Sequence, residues 1–290
     1  MAPIEDEVEK LTIPSTNTPS ITMPPIFVPP IFVPPISMPP NSISPNNMST
    51  TATVSKAMTA KEVPSNDLSS DAPKADYIVP LCHEQVEVLY EDPLFLLVSK
   101  PSGLLSVPGK HPLNRDCLIT RLQMDYPEAR IVHRLDLDTS GIMVIALTAN
   151  SHRNLSKQFE KRETYKSYTA MVFGQVEQTT GAIDLPLISD WPNRPKQMVD
   201  FEQGKQALTH YEVLERLHDR TRILLKPVTG RSHQLRVHTA EIQHPILGCK
   251  FYAHEEAIEM ASRLLLHATE LHINHPESGE RIEGFCQVPF

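Results

Sequence analysis

Two short stretches of the 290-residue chain gather the side chains best suited to chemistry. The first, residues 132–141 (VHRLDLDTSG), sets Asp136 and Asp138 on either side of Leu137, so that in extended chain the two carboxylates face the same way. Such a pair serves as general acid and general base in glycoside hydrolysis. It serves equally as a capped, salt-bridged turn, because Asp, Thr and Ser are common turn residues; on residue types alone the turn is the commoner outcome and both readings stand. The second stretch, residues 230–238 (GRSHQLRVH), holds two arginines and two histidines. His233 and His238 have the chemistry of metal ligands, but no third ligand lies at a supporting spacing, so no metal is expected. Arg231 reads as a cation in want of a carboxylate, and a guanidinium beside an aspartate keeps it ionised, as a nucleophile or base must be at neutral pH. The sequence contains no GxSxG, GxxxxGK[ST] or GxGxxG pattern, which removes the commonest hydrolase, nucleotide-hydrolase and dinucleotide-binding readings.

Strands account for most of the pattern around these stretches. Residues 86–99 (VEVLYEDPLFLLVS) alternate and then run apolar around Asp92 and Pro93, as a two-stranded hairpin does. Residues 100–109 (KPSGLLSVPG) are broken by Pro and Gly into a loop, and a short helix is expected over 117–125. Residues 141–147 (GIMVIAL) form a buried strand by length, with a helix left open by periodicity. Asn150 is a plausible cap for the next helix, in which Leu155 and Phe159 share one face and Arg153, Lys157 and Lys161 form a stripe on the other. Residues 165–174 alternate as a strand, and 209–217 with 221–226 form a second hairpin turning at His218 and Asp219. Leu235, Val237 and Ile242 suggest a helix, 244–248 a turn, and 263–273 a strand pair or a helix–strand unit. The expected fold class is α+β, a mixed and largely antiparallel sheet with flanking helices.

The chain divides sharply in composition. Residues 1–80 contain 15 of the 27 prolines and none of the ten glycines, and include the repeat PPIFV-PPIFV-PPISM at 24–38. Proline at that density prevents helix or sheet from propagating, so a disordered or extended extension is expected there. The N-terminal residues are acidic where a targeting signal would be basic, and no apolar run reaches membrane-spanning length; a cytoplasmic protein is expected. Cys82, Cys117, Cys249 and Cys286 are scattered and imply neither zinc knuckle nor disulfide framework. The net charge of -8 is unlike that of a general nucleic-acid binder, so any RNA contact must come from local patches.

Taken in order, HRLDxxTSG (133–141), KxYxAxVxG (166–174) and TGRxHQxRVH (229–238) resemble the RluA family of pseudouridine synthases. The likeness runs from residue 86 to the C-terminus. DWPNRPKQ (190–197) and HPILGCKFYA (244–253) are similar to the member that modifies both tRNA and 23S rRNA. The resemblance implies a catalytic domain over residues 81–290 behind the 1–80 extension, acting on uridines of the tRNA anticodon stem-loop and a 23S rRNA hairpin loop. It implies that Asp136 is the catalytic aspartate and leaves Asp138 outside the chemistry. Arg134 would fill the vacancy left by the flipped base, Tyr168 would pack on that base and later act as a base, and Arg231 would partner Asp136. Breaking the N1–C1′ bond and rejoining uracil through C5 transfers no group and changes no oxidation state. The resemblance therefore implies no metal and no cofactor, only tRNA and 23S rRNA as partners of a monomer.

Overall fold

The computed structural model describes residues 77–290. All but the last four residues of the expected 1–80 extension lie outside them. Pairing with the folded part reaches back past residue 81: Asn114 donates through Nδ2 to the Tyr77 carbonyl (2.8 Å) and accepts through Oδ1 from the Val79 N–H (2.9 Å).

The first hairpin forms as the sequence suggests, from β1 (Glu87–Glu91) and β2 (Phe95–Lys100). Asp92 Oδ1 takes the Leu94 N–H at 2.8 Å in the turn. Helix α1 (Leu118–Leu122) is shorter than expected, and β3 (Arg130–Ile131) follows it. Next comes β4 (Ser140–Ala146), buried at every position, so the apolar run after Asp136 is a strand walled in on both faces. Helix α2 (Ala149–Glu160) is capped by Thr148 rather than Asn150. Thr148 Oγ1 accepts from the Ser151 N–H and Ser151 Oγ from the Thr148 N–H, each at 3.1 Å. This reciprocal box satisfies two donors at once, and Asn150, already inside the first turn, binds Arg153 instead.

Strands β5 (Tyr165–Phe173), β6 (Thr180–Asp184), β7 (Leu187–Ser189) and β8 (Gln197–Val199) precede the second expected hairpin, β9 (Leu208–Arg216) and β10 (Arg220–Pro227). Then come α3 (Gln234–Glu241), α4 (Glu255–Glu259), β11 (Leu266–Asn274) and β12 (Arg281–Phe285). The apolar stretch at 263–273 thus contributes a single strand.

The main sheet runs β1-β2-β4-β11-β5-β10-β9-β6, with β3 beside β4 and β12 beside β11; β7 and β8 pair separately. Every pairing is antiparallel except β4 with β11, which is parallel and confined to Ser140 opposite His267 and Gly141 opposite Ala268. Gly141 has φ 117, and a Cβ there would strike the Ala268 backbone. Only glycine permits this approach. Two apolar cores lie on either side of the crossing. One gathers Phe95, Leu96, Ile145 and Leu155, all fully buried, and the other gathers Ala170, Val172, Ile223 and Leu225. Burying each large aliphatic or aromatic side chain contributes about 1.5–3 kcal/mol. Tyr168 packs against both cores, which places it at their seam.

Candidate active site

Asp136 sits in the loop just before β4, and the residues on both sides of it are gripped by the 100–106 loop. Ser106 Oγ donates to the Leu135 carbonyl (2.8 Å) and accepts from the Leu135 N–H (3.2 Å). On the other side the Leu137 carbonyl accepts from the Gly103 N–H (2.9 Å) and from Lys100 Nζ (3.2 Å). Lys100 is fully buried and spends its other two protons on the Leu104 and Pro101 carbonyls, at 2.7 and 2.8 Å. Burial pulls its pKa down to about 7, against the opposing pull of nearby Cys82, Asp136 and Asp138. The Thr139 N–H closes the turn on the Asp136 carbonyl at 3.2 Å. His133 ties the start of the loop to the sheet, its Nε2 accepting the Val144 N–H at 3.1 Å while its ring stacks on Phe159 at 4.5 Å. Burial, with Lys166 nearby, lowers the His133 pKa to about 3, so the ring is neutral at physiological pH.

The cation beside Asp136 is Arg236, not Arg231. Arg236 Nη1 lies 3.4 Å from Asp136 Oδ2, and its side chain is only 2% exposed. His233 Nε2 approaches the same oxygen at 3.6 Å. Arg231 instead turns its Nε to the Gln206 carbonyl at 3.1 Å. The cause is the geometry at the start of α3. His233, its N-cap, has φ 54, in the left-handed region, which turns the chain so that Arg231 falls on the preceding loop. His233 and Arg236, three residues apart, then share the face turned to Asp136. Gln234 locks this turn: Oε1 accepts from Thr229 Oγ1 (2.7 Å) and the Arg231 N–H (3.0 Å), while Nε2 donates to the Leu208 carbonyl (3.0 Å) and Thr209 Oγ1 (2.9 Å). His238 is fully occupied elsewhere, bonding Thr209 Oγ1 and the Leu185 carbonyl, each at 3.0 Å. Among the described residues no group of three or more His, Cys, Asp and Glu could hold a metal ion.

Asp136, Arg134, Tyr168 and Arg231 all line one cleft of about 840 Å³ at the seam between the two cores, whereas Asp138 does not line it. Arg134 is exposed at the cleft and, among the described residues, makes no hydrogen bond or ion pair. Tyr168 enters from β5; burial, reinforced by the Asp136 charge, pushes its phenol pKa well up, so it holds its proton at neutral pH and presents a flat aromatic face. The cleft carries five cations, Arg134, Arg162, Lys166, Arg231 and Arg236, against the acids Asp136 and Glu160. It is a positive patch in an acidic chain. Sequence reasoning missed Arg236, Gln234 and Lys100; the spacing of His233 and Arg236 was the available signal for the first.

Shape and site together give a carboxylate clamped in a cationic cleft, and comparison with known proteins says what kind of protein carries it. Residues 94–241 match the family model described as RNA pseudouridylate synthase. The dual-specificity RNA pseudouridine synthase RluA of Yersinia pestis is 56% identical over 204 residues, covering 70% of this chain and 99% of that protein. Its namesake from Escherichia coli K12 is 56% identical over 193 residues, 66% of this chain and 88% of the relative. That of Haemophilus influenzae is 48% identical over 206 residues, 71% and 94%. Among solved structures, human RNA Pseudouridylate Synthase Domain Containing 1 superposes with a TM-score of 0.62 at 29% identity, covering 73% of this chain and 86% of that one. The corresponding figures for Domain Containing 4 are 0.57, 25%, 70% and 88%. The chain belongs to the RluA family of RNA pseudouridine synthases, isomerases that act on RNA.

Proposed function

We propose that this enzyme isomerises uridines in two RNAs, the anticodon stem-loop of tRNA and a hairpin loop of 23S rRNA, with Asp136 as the reacting carboxylate. The observation that carries this reading is a carboxylate clamped by its backbone neighbours, paired on one oxygen with a buried arginine, and set in a cationic cleft beside an aromatic face. The reaction breaks N1–C1′, turns the uracil and joins C5 to C1′; the C5 hydrogen passes to solvent and the freed N1 takes a proton from solvent. The target base must leave its stack, because C1′ and both faces of the ring are blocked within it. Arg134 takes the vacated place, Tyr168 supports the base, and Arg231 meets the RNA backbone at the cleft edge. The relatives' printed description, dual-specificity RNA pseudouridine synthase, supports two classes of RNA substrate. We take the enzyme to act as a monomer without metal or cofactor, since the isomerisation transfers no group and changes no oxidation state. Its proposed RNA substrates put its action in the cytoplasm; no helix among the described residues is long and apolar enough to cross a membrane.

The test is tritium release from C5-labelled tRNA and 23S rRNA transcripts, followed by mapping of the modified position. Asp136→Asn should abolish release with both RNAs, and Asp138→Asn should leave most of it. Turnover by Asp136→Asn would overturn the assignment, and release from one RNA alone would remove the second substrate.

A further inference from the structure

Tyr252 lies outside the three sequence patterns around the cleft, yet its hydroxyl stands one residue from Asp136. The backbone N–H of Gln197, the first residue of β8, donates to Tyr252 Oη at 2.9 Å, and Oη lies 2.6 Å from His233 Nδ1. The proton inventory follows from donor and acceptor types. Gln197 can only donate, so Oη accepts there, and Nδ1 is the one acceptor among the described residues within reach of its single proton. Burial pushes the Tyr252 pKa up to about 12 and lowers that of His233, so the phenol is protonated and the ring neutral. A neutral imidazole that accepts at Nδ1 carries its hydrogen on Nε2, the atom 3.6 Å from Asp136 Oδ2. The ring is further held against Phe251, with planes 18° apart and centroids 5.7 Å apart. Its backbone holds the left-handed conformation at φ 54, which a residue with a side chain rarely adopts.

We propose that Tyr252 and His233 are positioning residues: Tyr252 fixes the histidine tautomer whose N–H faces Asp136 Oδ2, and His233 together with Arg236 holds that oxygen so that Oδ1 is the one presented to the nucleotide. Both protein groups that address the carboxylate do so through Oδ2, and Oδ1 has no protein partner among the described residues. The arrangement also ties Asp136 to the β7–β8 turn, since Gln197 follows Pro195 on the cleft wall. This inference rests on the reading of Asp136 as the reacting carboxylate.

The test uses the full chain with 15N-labelled histidine. In the wild type the His233 signals should report hydrogen on Nε2. Tyr252→Phe should lose that single tautomer, and kcat for tritium release should fall about tenfold, the scale of one lost hydrogen bond, with KM for RNA within about twofold. A second pair removes any dependence on the folding of that variant. His233→Gln can place an amide N–H where Nε2 stood, and His233→Asn cannot, so the glutamine variant should retain several times the kcat of the asparagine variant. An unchanged tautomer or kcat in Tyr252→Phe, or equal losses in the two His233 variants, overturns the proposal. If Asp136→Asn is dead while these results fail, only this inference falls; if Asp136→Asn turns over, the reading beneath it falls as well.

Discussion

Replacing Arg236 by methionine keeps most of the buried volume and removes the charge beside Asp136. At 3.4 Å, with an effective dielectric constant of about 20, the ceiling on the attraction is about 5 kcal/mol. Asp136 is 32% exposed at its side chain, so water shares in its stabilisation and the realised loss is about half the ceiling, about 2–3 kcal/mol. Each 1.4 kcal/mol is tenfold, so kcat/KM for tritium release should fall about 30- to 150-fold. Folding should suffer little. Arg236 Nη2 is buried without a hydrogen-bond partner, Nε has only Cys249 Sγ at 3.4 Å, and replacing an imperfectly satisfied buried cation by an apolar side chain is often neutral. Thermal unfolding of the variant should therefore lie within a few degrees of wild type. Arg231→Gln is the matched control. It gives up the bond to the Gln206 carbonyl and a cleft charge, so KM should rise while kcat stays within about threefold. An Arg236→Met enzyme with near-normal kcat/KM, beside an inactive Arg231→Gln, would refute the reasoning and restore Arg231 as the partner.

Two further outcomes concern stability. His133 and His267 have folded pKa values lowered to about 3 and about 4, in both cases chiefly by burial. Below about pH 6.5 the unfolded chain binds protons that the folded chain refuses, so stability is full above that pH and falls as the solution is acidified, by about 2 kcal/mol per histidine between pH 7.5 and 5. Urea unfolding across that range should show the loss, reduced by about 2 kcal/mol in His267→Asn; an unchanged slope in the variant would remove His267 from the account. Gly141→Ala forces a Cβ onto the Ala268 backbone at φ 117 and should cost about 3 kcal/mol or more, whereas a loss below about 1 kcal/mol would mean that the β4–β11 crossing is softer than its geometry implies.

The carboxylate loop was legible as a turn leading into a buried strand because Asp136, the turn residues after it and the apolar run of β4 are consecutive in the chain; a chemical role for Asp136 came only from the family resemblance. The hairpins were legible for the same reason, with Asp92 and Asp219 in their turns. The partner of Asp136 was not, because it depends on one backbone angle. With His233 in the ordinary helical region, the face that α3 turns to Asp136 would shift; at φ 54 the inward cation is Arg236, flanked by Leu235 and Val237, where a sequence reading sees only a helix face. Tyr252 was invisible for a different reason, since its contacts come from β8 and the start of α3, 55 and 19 residues away. Asn150 and Thr148 were both chemically able to cap α2, and the reciprocal bond from Ser151 decided between them.

The contrast between a cationic cleft and a chain of net charge -8 governs how the enzyme moves through a crowd of RNA. A uniformly basic protein would be titrated by any ribosome or messenger it met, and its dwell time would be set by ionic strength rather than by the target. Here attraction is short-ranged, because screening confines it to about 8 Å at physiological salt. Encounters with the wrong RNA are therefore brief, and few counterions are released by each. The protein gives up long-range capture for rapid sampling, which suits an isomerase that acts on RNA.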